Sequence, residues 1–230
     1  MEIESANNRG RDWRDSRWLV LVEFALVVAI YVARQQHILK VSATPYLLVL
    51  AWISLRLRRV RWKQIGFTRY RTWATTLLLG ISCGVGLELF DLFGKQPLLT
   101  RLLKKPPDLA NFAAIKGNLR FALIMIALLW VLAAFGEEIV YRGYLMNRVA
   151  DLGRGTHTGW IVSLFLISAL FGFAHYQQGL TGIIEEGSDG LILGLLYLAC
   201  RRSLAIPIVA HGVCDTIDVT LLFLGKYPGP

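Results

Sequence analysis

An all-α fold with several membrane-spanning helices is predicted by three features of this 230-residue sequence. Hydrophobic residues make up 55% of the chain and the mean hydropathy is +0.49, which is too apolar for an ordinary soluble domain. Apolar windows that approach the roughly 20 residues needed to cross hydrocarbon recur along the chain. Lysine and arginine, the source of the net charge of +9, are concentrated between these windows. We therefore expect a polytopic transmembrane helix bundle.

About seven windows are apolar enough to predict helices. They cover residues 18–33, 41–56, 74–93, 119–147, 159–176, 180–199 and 203–224. Residues 1–17 form a polar tail, and no small-residue cleavage site follows the first window, so we expect that window to remain as a membrane helix. Since neither an internal repeat nor a low-complexity segment is visible, we expect a single integral membrane domain over residues 1–230, with its core helices in 119–224.

The breaks between the windows indicate the topology. Seven lysine and arginine residues lie between Arg56 and Arg71, interleaved with aromatic side chains, which predicts an interfacial basic segment in contact with membrane lipids. Residues 94–118, which include Pro106 and Pro107, form the longest break, and we expect a loop or a short surface helix there. About 15 lysine and arginine residues fall on the N-terminal side of the membrane and about 8 on the other. This excess predicts a cytoplasmic N-terminus in the plasma or inner membrane.

Nucleic acid is not expected as a partner despite the positive charge, because neither a basic reading helix nor an aromatic stacking motif is visible. The three cysteines share no CxxC spacing, and we expect buried, unreactive thiols at Cys83, Cys200 and Cys214.

Two adjacent acids and a basic residue lie in the fourth apolar window. Each ionisable group at hydrocarbon depth costs roughly 2.5 to 3.5 kcal/mol on insertion scales, so Glu137, Glu138 and Arg142 are candidate functional residues. Glu138 and Arg142 are four residues apart on one helical face, the spacing of an ion pair. Glu137 points about 100 degrees away around the helix, without that partner. Glu137 is therefore the better candidate for a general base.

Two of the four histidines lie in further apolar windows, His175 in FGFAH and His211 in HGVCD. A carboxylate such as Glu137 and an imidazole such as His175 around one water molecule are sufficient to produce a hydroxide-like nucleophile. His211 and Asp215 are four apart and share a face, so they could supply hydrogen-bond donors for a developing oxyanion. These residues together predict a hydrolytic site built from three helices.

Structural explanations stand beside the functional one. A single intramembrane histidine can serve as a packing residue, and the pair of Glu138 and Arg142 can be purely structural. For the other acids in or near apolar windows, we expect polar contacts at helix ends or between helices. These acids are Glu23, Glu88, Asp91 and Asp218.

Three motifs in order resemble the CAAX prenyl protease and bacteriocin-processing family of intramembrane glutamate proteases, also called Abi proteins. GEEIVYRGYL fits the EExxxR motif at Glu137, Glu138 and Arg142. FGFAH fits FxxxH at Phe171 and His175, and HGVCD fits HxxxN or HxxxD at His211 and Asp215. The resemblance covers residues 119–224 well and the first half mainly through its hydropathy.

The resemblance implies a membrane endopeptidase whose catalytic core lies in residues 119–224. Glu137 and His175 would activate water, His211 and Asp215 would stabilise the oxyanion, and Glu138 and Arg142 would support the first of these helices. Its substrate would be a membrane-associated peptide or a prenylated CAAX-type protein, and no cofactor is implied. Asp215 stands where the best-studied prenyl proteases have asparagine. It must therefore be protonated, or orient His211, or leave the oxyanion to His211 alone.

Two alternatives remain open at the level of sequence. Zinc held by one glutamate and two histidines, with the other glutamate as base, would give a metal-dependent protease, although no HExxH motif is present. A membrane immunity, transport or scaffold protein could use the same buried acids to relay protons or to hold helices together. A proton-coupled transporter would more often show paired halves, and no such duplication is visible.

Overall fold

A computed structural model describes residues 13–227, and it contains a helix for each predicted window. The segments below include the π-helical turns that continue a helix. They are α1 (Arg17–Gln35), α2 (Thr44–Leu57), α3 (Trp73–Leu103), α4 (Leu119–Leu152), α5 (His157–Ala174), α6 (Gly179–Ala199) and α7 (Ala205–Leu224). No strand occurs between residues 13 and 227. The predicted all-α helix bundle is confirmed.

Five of the helices in the described range are long and apolar enough to cross a membrane. The exceptions are α2, which has 14 residues, and α6, which has 21 residues but contains Glu185, Glu186 and Asp189. Many large apolar side chains on the helices are exposed, for example Leu78 at 67% and Phe165 at 60%. Such surfaces suit lipid rather than water. The protein is therefore an integral membrane protein.

The chain forms two compact units, one ending at Arg61 and the other beginning at Trp62. In the first, α1 and α2 bury apolar side chains together with an ion pair between Glu23 and Arg58. The first twelve residues of the predicted polar tail lie outside the described residues. The single domain over the whole chain remains a prediction.

Small residues allow close helix contacts in the second unit. A Cβ atom at Gly84 of α3 would lie 2.5 Å from the carbonyl oxygen of Ala210 in α7. A Cβ atom at Gly172 of α5 would lie 2.3 Å from the carbonyl oxygen of Ile183 in α6. Both distances are too short for any side chain, so glycine is required at these crossings. The helices that carry the candidate residues are thereby packed tightly.

The predicted end of α3 at residue 93 was wrong, because the helix continues to Leu103. A π-helical turn over Asp91–Lys95 carries the chain past the expected break. Lys95 is buried there, with its Nζ atom 2.6 Å from the carboxylate of Asp91 and in contact with Asp189 of α6. The carboxylates of Asp91 and Asp189 neutralise the charge of Lys95, so the helix can continue through this position. Only the rest of the break, residues 104–118, is irregular, apart from a 3₁₀ turn at Ala110–Ile115.

The part of the basic segment that belongs to the second unit is bound to the turn between α6 and α7. After a short 3₁₀ helix over Trp62–Ile65, the chain turns at Gly66, whose φ is +96°. The hydroxyl of Tyr197 donates to the carbonyl of Ile65 at 3.0 Å, and the amide of Leu204 donates to that of Gly66 at 2.8 Å. The position of the basic segment along the lipid headgroups remains a prediction.

Candidate active site

The four predicted catalytic residues line one cavity of about 220 Å³ in the second unit. Glu137 comes from α4, His175 directly follows α5, and His211 and Asp215 lie on α7. Residues from α3, α6 and the segment 104–118 complete the wall. Side chains separated by up to 78 positions in the sequence are thus brought to a common space.

The ion pair predicted between Glu138 and Arg142 is present and fully buried. Arg142 donates from a terminal guanidinium nitrogen to Glu138 Oε1 at 2.7 Å, and the two side chains are 1% and 0% exposed. The same Oε1 atom lies 3.0 Å from Nδ1 of His211. Since a carboxylate only accepts hydrogen bonds, His211 donates through Nδ1. Glu138 therefore joins α4 to α7 and orients the imidazole of His211.

Arg142 also holds α5 and α6 in place around the cavity. Its second terminal nitrogen donates to the carbonyl oxygen of Gly190 at 2.9 Å. Its guanidinium carbon lies 4.7 Å from the ring centre of Phe171, a cation–π distance. The ring of Phe171 in turn lies 5.0 Å from that of His175. One guanidinium thus contacts three elements that carry site residues.

His175 is held by the backbone of its own helix. Its Nδ1 atom lies 2.9 Å from the carbonyl oxygen of Phe171, so Nδ1 carries the proton and Nε2 is the acceptor in the neutral ring. Nε2 lies 3.9 Å from Oε2 of Glu186, and Glu137 is near enough for a charge interaction with the ring. The basic nitrogen of His175 therefore lies among carboxylates of the cavity.

The relation of His211 to Asp215 differs from a hydrogen-bonded pair. His211 Nε2 and Asp215 Oδ2 are 3.8 Å apart, longer than a hydrogen bond, and Oδ2 has no hydrogen-bond partner. One of the three roles considered for Asp215 was to orient the imidazole of His211. Glu138 orients this ring instead, because it accepts a hydrogen bond from Nδ1. Asp215 therefore lies beside Nε2 of His211 without a hydrogen bond to it.

The helix that carries Glu137 is locally widened. π-helical turns cover Leu129–Glu137 and Ile139–Leu145, on both sides of Glu138. Such turns are frequent at functional sites. In the first of them, the indole of Trp130 donates to the hydroxyl of Thr216 on α7 at 3.0 Å. A Cβ atom at Gly212 would lie 2.7 Å from Trp130, so only glycine fits beside His211.

Sequence reasoning missed several carboxylates of the cavity. Glu88, Asp91 and Asp218 make the expected polar contacts between helices, since Glu88 bonds to Asp218 and Asp91 to Asp189. They also line the cavity wall, as do three acids of α6, Glu185, Glu186 and Asp189. The three acids of α6 in an otherwise apolar window, shortly after His175, were the signal that could have indicated this.

No three His, Cys, Asp or Glu side chains in the described range, residues 13–227, are arranged to hold a metal ion. The zinc alternative remains untested.

The family model described as Rce1-like, type II CAAX prenyl endopeptidase, matches residues 119–217. The matched region runs from the start of α4 into α7 and contains every candidate catalytic and supporting residue. No curated protein and no solved structure shows significant similarity to the chain. The match indicates a CAAX-type intramembrane protease at the family level. It confirms the resemblance of the three motifs and assigns the region 119–217 to the CAAX prenyl protease and bacteriocin-processing family.

Proposed function

We propose that this protein is a glutamate-dependent intramembrane endopeptidase that cleaves a membrane-associated or prenylated CAAX-type substrate. The observation that carries the proposal is the convergence of Glu137, His175 and His211, from three helices, on one cavity in the region matched by the family model. A general base, a second proton acceptor and an oxyanion donor are the groups that peptide hydrolysis by water requires.

Water would be activated between Glu137 and His175. Glu137 accepts a proton while the hydroxide oxygen forms a bond to the scissile carbonyl carbon, and His175 orients the water through Nε2, its free acceptor. Glu137 then returns the proton to the amine as the carbon–nitrogen bond breaks. This division of roles follows from the surroundings, because Glu138 is already bonded to Arg142 and His211.

The oxyanion would be stabilised by His211 through Nε2. Because Nδ1 donates to Glu138, His211 must carry both protons to donate from Nε2 as well. The carboxylates of Glu138 and Asp215 flank the ring and supply the counter-charge. In this arrangement Glu138 is a positioning residue, and Asp215 balances charge without contacting the oxyanion.

The cavity would open on the side of the membrane opposite the basic segment. Pro107, between α3 and α4, and Tyr227, after α7, both line it. The basic turns, at residues 62–72 and 200–204, lie at the other ends of these helices.

The deciding experiment is proteolysis, in liposomes, of a farnesylated CAAX peptide and a mixed pool of membrane peptides. Glu137→Gln and His175→Ala should each lower kcat/KM by about 10²-fold to 10⁴-fold. His157→Ala is the matched control. His157 is an exposed histidine at the first position of α5, and this variant should cleave like the wild type.

A chelator should leave the activity intact. Loss on chelation that zinc restores would replace the proposal with the metal-dependent mechanism. Equal cleavage by wild type and folded variants would remove the catalytic roles of Glu137 and His175, and absence of cleavage on every substrate would favour a transport or scaffold protein.

A further inference from the structure

The cavity is lined by far more carboxyl groups than peptide hydrolysis requires. Eight carboxyl groups line it: Glu88, Asp91, Glu137, Glu185, Glu186, Asp189, Asp215 and Asp218. Among the described lining residues, the basic side chains are those of His175 and His211. Lys95 lies close by, but it is already paired with Asp91 and Asp189. The other acids remain to be explained.

One pair of these acids has incomplete hydrogen bonding. Glu88 on α3 and Asp218 on α7 share a side-chain hydrogen bond, which requires a proton on one of the two carboxyl groups. Glu88 is only 3% exposed and Asp218 is half-buried, and beyond their mutual hydrogen bond no donor group of the described residues bonds to Oε1 of Glu88 or Oδ1 of Asp218. Oδ2 of Asp215, one turn earlier on α7, also lacks a partner. An unpartnered buried carboxylate oxygen is costly, so these atoms indicate a donor that is supplied from outside the chain.

The chemistry of the wall indicates what that donor is. The described residues contain no cluster arranged for a metal ion. Apolar side chains, those of Leu87 and Leu222, line the cavity beside the two acids. A group that combines an aliphatic stem with a positively charged end satisfies both parts of such a wall. Lysine and arginine side chains have this form, and a carboxyl pair presents several acceptors to their donors.

We propose that Glu88 and Asp218, with Asp215 beside them, bind a basic side chain of the peptide substrate close to the scissile bond. The inference rests on the proposed protease function and adds to it a preference for lysine or arginine near the cleavage site. The competing explanation is a proton shared between the two carboxyl groups, which would give no preference for charge.

The test compares two peptides that differ in one side chain. Lysine and norleucine have similar aliphatic stems, but only lysine carries a charge, and each is placed in turn at the three positions on either side of the cleavage site. At one position, kcat/KM for the lysine peptide should be about tenfold higher. Glu88→Gln and Asp218→Asn should each lower this ratio to about one. Asp151→Asn is the matched control, because Asp151 is exposed and pairs with Arg148 away from the cavity, and it should retain the ratio.

Binding of the same peptides, labelled with a fluorophore, to Glu137→Gln separates the two hypotheses. If the wild type cleaves no peptide but the lysine peptide still binds about tenfold more tightly, the protease proposal fails and the basic subsite stands. Equal cleavage and equal binding of both peptides would overturn the subsite and leave the protease intact. Thermal unfolding shows which variants are folded, and Asp218→Asn alone decides the question should Glu88→Gln not fold. A lysine preference that persists in the folded variants would overturn the proposal, because it would show that Glu88 and Asp218 do not bind the basic side chain.

Discussion

Two buried glutamate–arginine pairs with the same chemistry occupy different surroundings in this protein. In the first unit, both oxygens of Glu23 are used: Oε1 accepts from Arg58 at 2.9 Å and from Ser54 at 2.5 Å, and Oε2 accepts from Arg58 at 3.1 Å. In the second unit, Oε1 of Glu138 accepts from both Arg142 and His211, while Oε2 has no partner.

The difference shows how a buried ion pair becomes part of the candidate active site. Glu23 is saturated by groups that belong to one helical hairpin, so the pair can only stabilise that hairpin. Glu138 shares one oxygen between a structural arginine and a histidine on the cavity wall. A change in the position of this carboxylate, or its removal, therefore alters the orientation of His211. Four substitutions test this contrast, from the largest expected effect to the smallest.

Removal of the arginine should have the largest effect. Arg142→Ala leaves Glu138 buried without its cation and should lower the free energy of unfolding by about 3 to 5 kcal/mol. Cleavage should fall as well, because the contacts to Gly190 and Phe171 are lost. Arg58→Ala should lower stability without changing kcat. Denaturant titration and initial rates on both variants measure this, and an equal loss of kcat in Arg58→Ala would contradict the contrast.

Substitution of the glutamate alone should mainly affect catalysis. Glu138→Gln keeps the shape of the side chain but weakens its bonds to Arg142 and His211, and kcat should fall about 100-fold, as on loss of an oxyanion donor. Glu23→Gln, the matched change in the first unit, should keep kcat within about twofold and lower the melting temperature. If the two variants lose kcat equally, Glu138 has no special link to the site.

Displacement of His211 without any change of charge should give a smaller effect. Gly212→Ala places a Cβ atom 2.7 Å from the indole of Trp130, so either this side chain or α7 must shift next to His211. We expect kcat/KM to fall about tenfold, as is typical of a small misplacement of a catalytic group. Gly86→Ala is the control, because nothing lies within 4 Å of a Cβ atom there. Full activity in Gly212→Ala would mean that the position of His211 is not critical.

The smallest effect is expected in the saturated pair. Ser54→Ala removes one of the hydrogen bonds to Glu23 and should cost about 1 kcal/mol of stability. Activity should remain at the wild-type level, because Glu23 retains both bonds to Arg58. Thermal unfolding and the rate of peptide cleavage give the two values. If the rate of cleavage falls by more than the loss of folded protein explains, the hairpin contributes to catalysis.

Much of the fold could be predicted from local pattern. Each apolar window became a helix, because hydrocarbon and helix geometry impose the same length and the same apolar composition. The pair of Glu138 and Arg142 was predictable for a similar reason, since a spacing of four residues fixes which side chains meet on a helix. The prediction failed at the end of α3, where a residue distant in the sequence neutralises a buried charge. Lys95 and the residues after it continue α3 because Asp189, 94 positions later, neutralises the lysine.

The sequence by itself determined the helices, the chemical identity of Glu137, His175, His211 and Asp215, and the motifs that indicate the family. Local spacing and hydropathy carry this information. Only the tertiary structure decided that Glu138 orients His211, and that six further acids share the cavity. The physical reason is that contacts between helices depend on helix rotation and on close crossings at glycines such as Gly84 and Gly172, which no local pattern specifies.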